Sequence, residues 1–231
     1  MFGVAKLNGL AKTAAAVSRT AKTVSVIGNA QISTALSKFG GASYLSDGTG
    51  DGLVINTGGQ TDLLFSGDYT YECWIYFSAT PSNDKHIMGQ AAQYSGSQVM
   101  IGMNINKQIF VYVGGAKRFT SSGLASAQWY HVAMSKASGV HRLFIDGVLQ
   151  ANTYTDSAAV TGSTDFHWGR EPSASNYAWN GYLDELRISN IARYTATFTP
   201  PSAPFTNDAN TNALFHFNGT NGSTTFTDDT A

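Results

Sequence analysis

The side chains able to do chemistry in this sequence are fifteen carboxylates, five histidines and one cysteine. Double-displacement hydrolysis of a glycosidic bond needs two carboxyls about 5–5.5 Å apart. On one strand that means acids at i and i+2 or i+4, because alternate side chains share a face. No two acids lie two residues apart, and the adjacent Asp184 and Glu185 are expected on opposite faces. Acids from separate strands could still meet, so the spacing argues against an enzyme without excluding one. Asp184 and Arg187 read instead as a structural charge pair.

The histidines (His86, His131, His141, His167 and His216) are scattered without ligand spacing. Neither a Gly-x-Ser-x-Gly elbow, a His-Glu-x-x-His pair nor a phosphate-cradling Gly-x-x-x-x-Gly-Lys-Ser/Thr loop occurs. Asp47 and Asp51 flank Gly48-Thr49-Gly50, and oxygen-rich loops of this kind hold calcium. With no third carboxylate nearby, a tight glycine turn is the preferred reading. No catalytic residue and no cofactor beyond that calcium option is expected. Cys73 has no partner for an intrachain disulfide and reads as a small buried residue.

A saccharide site is a stronger candidate. Such sites combine aromatic faces with amides and hydroxyls on loops. Trp168, Tyr177 and Trp179 could stack on a sugar ring while Arg170 and Asn176 hydrogen-bond to it. The competing reading is that Trp168 and Trp179 are strand residues filling the core, since aromatics dominate cores.

The elements that must position these residues are short and β-rich. Charged residues are 13% of the chain and hydrophobic ones 42%, enough for a sizeable core. A formal charge of −1 argues against a nucleic-acid partner. No apolar run approaches the roughly 18 residues of a membrane-spanning helix, so no membrane partner is expected. Five of the fourteen basic residues, and none of the fifteen acids, precede Asp47. A positive leader on a negative body attracts acidic surfaces, including other copies.

Residues 4–18 carry the helical spacing Leu7, Leu10, Ala14, Val17, about two turns that are marginal alone in water. A faint signal-peptide character there is broken by Lys12, and the segment is read as uncleaved. From Thr23 onward short runs alternate with Gly, Ser, Asn and Asp clusters, the punctuation of a β sandwich. Tyr69 to Phe77 is the clearest strand, its odd positions apolar and Trp74 and Tyr76 on the other face. Asp146-Gly147 and Ser138-Gly139 mark two-residue hairpins. Thr199-Pro200-Pro201-Ser202-Ala203-Pro204 reads as a strap at the sheet edge, and Asn218-Gly219-Thr220-Asn221-Gly222 as the turn of a last hairpin.

Several stretches resemble the concanavalin A-like (laminin-G-like) jelly-roll modules of tailed-phage structural proteins. They include Gly28-Asn29-Ala30-Gln31-Ile32-Ser33-Thr34-Ala35, Asp47-Gly48-Thr49-Gly50-Asp51, Trp129-Tyr130-His131-Val132-Ala133 and Asn180-Gly181-Tyr182-Leu183-Asp184-Glu185-Leu186-Arg187-Ile188. The resemblance covers roughly residues 20–231. In such modules a stretch like Leu214–Asp228 opens the domain. Here it comes last, and closure within the chain is preferred to exchange between copies.

The resemblance implies an all-β, antiparallel two-sheet jelly-roll sandwich over residues 23–231, with 205–231 a hairpin completing a sheet. The charge split and the apolar spacing of the leader add a basic docking arm over residues 1–22, using Lys6, Leu7, Leu10, Lys12, Val17, Arg19 and Lys22. The function expected from the resemblance is a non-enzymatic virion structural protein, a capsid decoration or cement protein on the outer surface, assembled in the host cytoplasm. Its partners would be the major capsid or tail protein and copies of itself. The alternative is an adhesin or tail-fibre module that binds a host glycan.

Overall fold

The computed structural model describes residues 19–56, 60–90 and 98–230. Along the chain come β1 (Thr23–Ile27), β2 (Gln31–Ser33), β3 (Ser43–Asp47), β4 (Gly52–Asn56) and β5 (Tyr69–Tyr76). β6 (Lys85–Gly89), β7 (Val99–Met103), β8 (Gln108–Val113), β9 (Ala116–Gly123) and β10 (Trp129–Ala137) follow. β11 (Val140–Ile145), β12 (Val148–Thr155), β13 (Phe166–Trp168), β14 (Asn180–Ser189) and β15 (Thr211–Phe215) complete the set.

They form two antiparallel sheets, the sandwich expected from the sequence. One has the order β1-β4-β13-β6-β7-β8-β9, the other β12-β11-β10-β5-β14-β3-β2, with β15 beside the second half of β14. The segment matching residues 4–18 lies outside the described residues.

β-branched and aromatic residues at alternate positions put Ile75, Val132 and Leu183 of one sheet against Leu53, Ile101 and Val111 of the other. Both anticipated hairpins form. Asp146 and Gly147 have φ of 47° and 72°, Ser138 and Gly139 φ of 49° and 79°, the left-handed pairs a two-residue turn requires. A Cβ on Gly147 would collide with the Phe198 carbonyl, so the turn also lets the chain pass over it.

That passing segment changes the expected architecture. The proline strap crosses the outer face of the second sheet rather than its edge. Phe198 stacks on Tyr194 and packs against Phe144, and Phe205 packs against His131. β5 is therefore buried on both faces from Tyr69 to Ile75. Beneath the strap the Glu72 carboxylate is fully buried and accepts from Arg187 Nε (2.8 Å) and Nη2 (2.7 Å), His131 Nε2 (3.1 Å) and the Tyr194 hydroxyl (2.8 Å). Burial opposes its charge, but His131, Arg187 and Tyr194 outweigh that and hold its pKa below the usual value.

Asp184 and Glu185 correct the expectation of opposite faces. Leu183 and Leu186 both enter the core, and a register shift in β14 turns both acids outward. Glu185 takes the left-handed φ of 53° that this requires. Asp184 accepts the backbone N–H groups of Lys38 (2.7 Å) and Phe39 (3.2 Å). Burial, working against those bonds, pushes its pKa up to about 7. Glu185 accepts from Phe205 N–H and His216 Nδ1, each at 2.8 Å, and that bond raises the His216 pKa. Asp184 and Arg187 are thus not partners; Arg187 belongs to Glu72.

The C-terminal part folds back on its own chain, but as one strand and an extended return rather than a hairpin. Gly222 N–H and Ser223 C=O pair with Ile32 of β2 (both 2.8 Å), and Asp229 N–H donates to Leu214 of β15 (2.8 Å).

Replacing Glu72 by Gln leaves Arg187 buried opposite a neutral group. Urea unfolding followed by circular dichroism should show a loss of about 3–5 kcal/mol. Asp208→Asn, which breaks the part-exposed Arg193–Asp208 pair, should lose no more than about 1 kcal/mol.

Candidate functional site

Trp168 and Trp179 are 0% and 1% exposed and present no face to a sugar. Trp168 stacks on Phe217 (5.4 Å between ring centres, 15° between planes), and Trp179 lies edge-on to Phe77 (6.2 Å). Facing a large apolar surface between the sheets, both rings bury more area than a loop position would allow. The stacking roles expected for them are corrected to core packing.

The loop from 169 to 179 joins β13 to β14 and is pinned at each end. Gly169 N–H donates to the Ile87 carbonyl (2.8 Å), and Trp179 N–H to that of Gly169 (2.7 Å). Arg170 Nη1 donates to the Gly50 carbonyl (3.2 Å), while Lys85 Nζ and Asn83 Nδ2 both reach the Asn176 carbonyl (3.0 Å). Arg170 is thus a loop brace, Asn176 is exposed, and Tyr177 is half-buried in the single turn of 3-10 helix Ser175–Tyr177. The five sequence candidates do not converge on one cavity. Tyr177, Asp84, His86, Met100, Phe110 and Glu171 enclose a space of about 10 Å³, the size of one water.

Asp47 and Asp51 are consumed by the turn they flank. The Asp51 oxygens accept Asn29 N–H (2.9 Å) and Asp47 N–H (3.0 Å). Asp47 accepts both the N–H (2.8 Å) and the hydroxyl of Thr49, which lowers its pKa. Both carboxylates thus serve the tight glycine turn that the sequence reading preferred. Among the described residues no three His, Cys, Asp or Glu side chains are grouped to hold a metal.

The turn does build something else. Between it, residues 79–82 and Asn180 lies an open groove of about 320 Å³, within the size range of small-ligand sites. Asp47, Thr49, Ser82 and Asn180 form a polar rim, with Phe77 and Trp179 beneath. Trp179 Nε1–H is buried with no acceptor among the described residues. Lys85 also lines the groove, and burial lowers its pKa. Sequence reasoning missed Ser82, Lys85 and Asn180, which lie in separate loops and strand ends with no motif joining them. The Asn180-Gly181 step is a usable signal. A Cβ on Gly181, at φ 144°, would strike the Tyr76 carbonyl, so glycine lets β14 start against β5 and holds Asn180 at the lip.

Of the docking residues, Lys6, Leu7, Leu10, Lys12 and Val17 lie outside the described residues. Lys22 is corrected from arm to body. It is 4% exposed, its N–H donates to Asp228 (2.7 Å), and its Nζ pairs with Asp62 (2.7 Å). Arg19 donates to the Ala209 carbonyl (2.7 Å) and is half-buried on the same corner.

The sequence model of the concanavalin A-like lectin/glucanases superfamily matches residues 47–197, about two thirds of the chain. The chain belongs to that superfamily. Among solved structures, the sialidase of Trypanosoma rangeli in complex with the inhibitor DANA superposes with a TM-score of 0.56 at 16% identity. That match covers 75% of this chain and 28% of the sialidase. A candidate carbohydrate-binding protein of Bacteroides ovatus gives 0.58 at 16% identity, over 91% of this chain and 56% of that one. The chain thus spans little more than a quarter of the sialidase, and at these identities the likeness is one of fold. No curated protein matches the chain in sequence.

His86 offers a test of this end of the lectin-like sandwich. It is buried behind the 169–179 loop, and burial, reinforced by His167, lowers its pKa to about 3. The unfolded chain binds a proton near pH 6.5 that the fold refuses. Stability from this group is therefore complete above pH 6.5 and falls as pH drops toward 3, by up to about 1.4 kcal/mol per pH unit. Urea midpoints measured from pH 7 to 5 should fall more steeply for the native chain than for His86→Gln. Equal slopes would mean that His86 accepts its proton in the fold.

Proposed function

We propose that this chain is a non-catalytic, lectin-like module that takes a saccharide in the Asp47–Asn180 groove and is displayed on a tailed-phage particle as a capsid decoration protein. One observation carries the reading: groove and chain entry sit at opposite ends of the strands. Ile27, Asp47, Gly52, Tyr76 and Asn180 gather at the groove end, and Thr23, Asn56, Ser189 and Thr211 at the other. Lys22, Asp62 and Asp228 join at that second end. A body held there turns its groove outward.

The non-catalytic part is supported by how the carboxylates are used. Glu72 and Glu185 lie buried beneath the strap, Asp184 is buried against the Lys38–Phe39 backbone, Asp51 closes a turn, and Asp228 caps Lys22 and Leu214. The rim of the groove supplies hydroxyls, an amide and the Asp47 carboxylate, groups that pair with sugar hydroxyls. The particle role is supported by the sequence resemblance over residues 20–231. An adhesin or tail-fibre module would use the same groove and differ in where it is attached.

On a glycan array the chain should bind a limited set of saccharides and release no product from them. Asn180→Ala should weaken that binding at least ten-fold without moving the urea midpoint. An array with no bound glycan overturns the sugar reading, and product release overturns the non-catalytic one.

In purified particles the chain should be present in fixed stoichiometry, and removal of residues 1–18 should abolish its incorporation while leaving the sandwich folded. Recovery only outside particles overturns the display role.

A further inference from the structure

Beyond the lip of the groove, the outer face of the second sheet carries a row of side chains that the strap leaves uncovered. Trp129 of β10 is directly opposite Tyr76 of β5, Tyr76 is opposite Tyr182 of β14, and Tyr182 is opposite Leu45 of β3. All four are half-exposed, while the next row along the strands, His131, Trp74 and Asp184, is buried beneath Phe39 and Phe205. Ring centres are 5.6 Å apart between Trp129 and Tyr76 and 5.9 Å between Tyr76 and Tyr182. The row contains no charge.

It is also continuous with the groove. Alternation along a strand places Asp47 two residues beyond Leu45, and Asn180 two before Tyr182, on this same outer face. The exposed pair Asp47–Asn180 is therefore both the rim of the groove and the next step of the row.

We infer that the binding site is a track rather than a pocket: a neutral, linear oligosaccharide anchored at the Asp47–Asn180 lip runs across the strands over Tyr182, Tyr76 and Trp129. This rests on the saccharide reading of the groove and extends it to the length and charge of the ligand. Three observations select that occupant. The ring-to-ring step is close to the length of one pyranose unit, so successive sugars meet successive rings. An uncharged row that begins at the Asp47 carboxylate suits a neutral chain and repels an anionic one. The planes are tilted by 54° and 75° from one neighbour to the next, so they form no flat platform for a crystalline glycan surface. A single twisting chain can meet each ring in turn. Tyr and Trp suit such a half-wet position, with an apolar body and a polar end.

The four tryptophans provide the readout. Trp74, Trp168 and Trp179 are 4%, 0% and 1% exposed, so a ligand-induced change in emission or in iodide quenching reports on Trp129. Titration of the full chain with neutral β-linked glucose, xylose and N-acetylglucosamine oligomers of one to six units should show affinity rising at least ten-fold with length in one series. Protection of Trp129 should appear only with the longer members. Tyr182→Ala should remove the length dependence and leave single-sugar binding unchanged, whereas Asn180→Ala should weaken every length. Emission of Trp129→Phe should no longer respond, while calorimetry still detects the short sugars. Binding without length dependence, or length dependence that survives Tyr182→Ala, overturns the track but not the groove. No binding at any length overturns both.

Discussion

The Glu72 carboxylate stands in the middle of a sheet with no water to solvate it, and much of the second sheet's outer face is arranged around that fact. Isolated, such a charge would cost several kcal/mol, so donors must surround it. They come from three directions: His131 from β10, Arg187 from β14, and Tyr194 from the segment after β14. Two neighbouring strands and the strap are thus joined at one point. Arg193 extends the joint to Ser189 (2.6 Å) and Asp208 (2.9 Å). Because the strap is held there, Phe198 and Phe205 are placed over His131, and the central rows of the sheet are closed to solvent.

The same constraint determines where recognition can occur. Three acids that might have faced a substrate are committed to holding backbone N–H groups, an imidazole and a guanidinium. What remains open is the end of the sandwich where the strap does not reach, and there the exposed groups are hydroxyls, an amide, half-buried rings and the Asp47 carboxylate. The buried charge network is thus confined to the covered middle of the strands, while Asp47 and Asn180 stand exposed at the rim.

Much of the fold was legible because it depends on local rules. Odd-numbered aromatics and aliphatics in β5 announce a buried face, and Asp146-Gly147 and Ser138-Gly139 announce turns through residues that tolerate left-handed φ. What was illegible depends on distant chain. Trp74 was read on the face of β5 opposite the buried one, since nothing within ten residues says that Phe39 and Phe205 will cover it. Asp184 and Glu185 were assigned opposite faces by strict alternation, which the shift between Leu183 and Leu186 breaks. Trp168 and Trp179 looked equally suited to a sugar or a core, and only the position of β13 and β14 between their neighbours decides it. The groove eluded the reading altogether, because Asp47, Ser82 and Asn180 belong to three segments that meet only through sheet order.

The order of the chain adds a final step. The stretch Leu214–Asp228, expected from the sequence resemblance to open a module of this kind, begins in β15 and returns past β2 in this same molecule. The backbone bonds of Gly222 and Ser223 with Ile32, and of Asp229 with Leu214, satisfy edge groups that would otherwise invite another chain. Closing within the chain also brings Asp228 to Lys22 at the corner shared with Asp62 and Asn212. Both ends of the described sandwich therefore leave from one place, at the far end of the strands from the groove. The segments that line the groove and the aromatic row (45–49, 76–82, 129 and 180–182) all lie away from that corner, in the middle of the sequence.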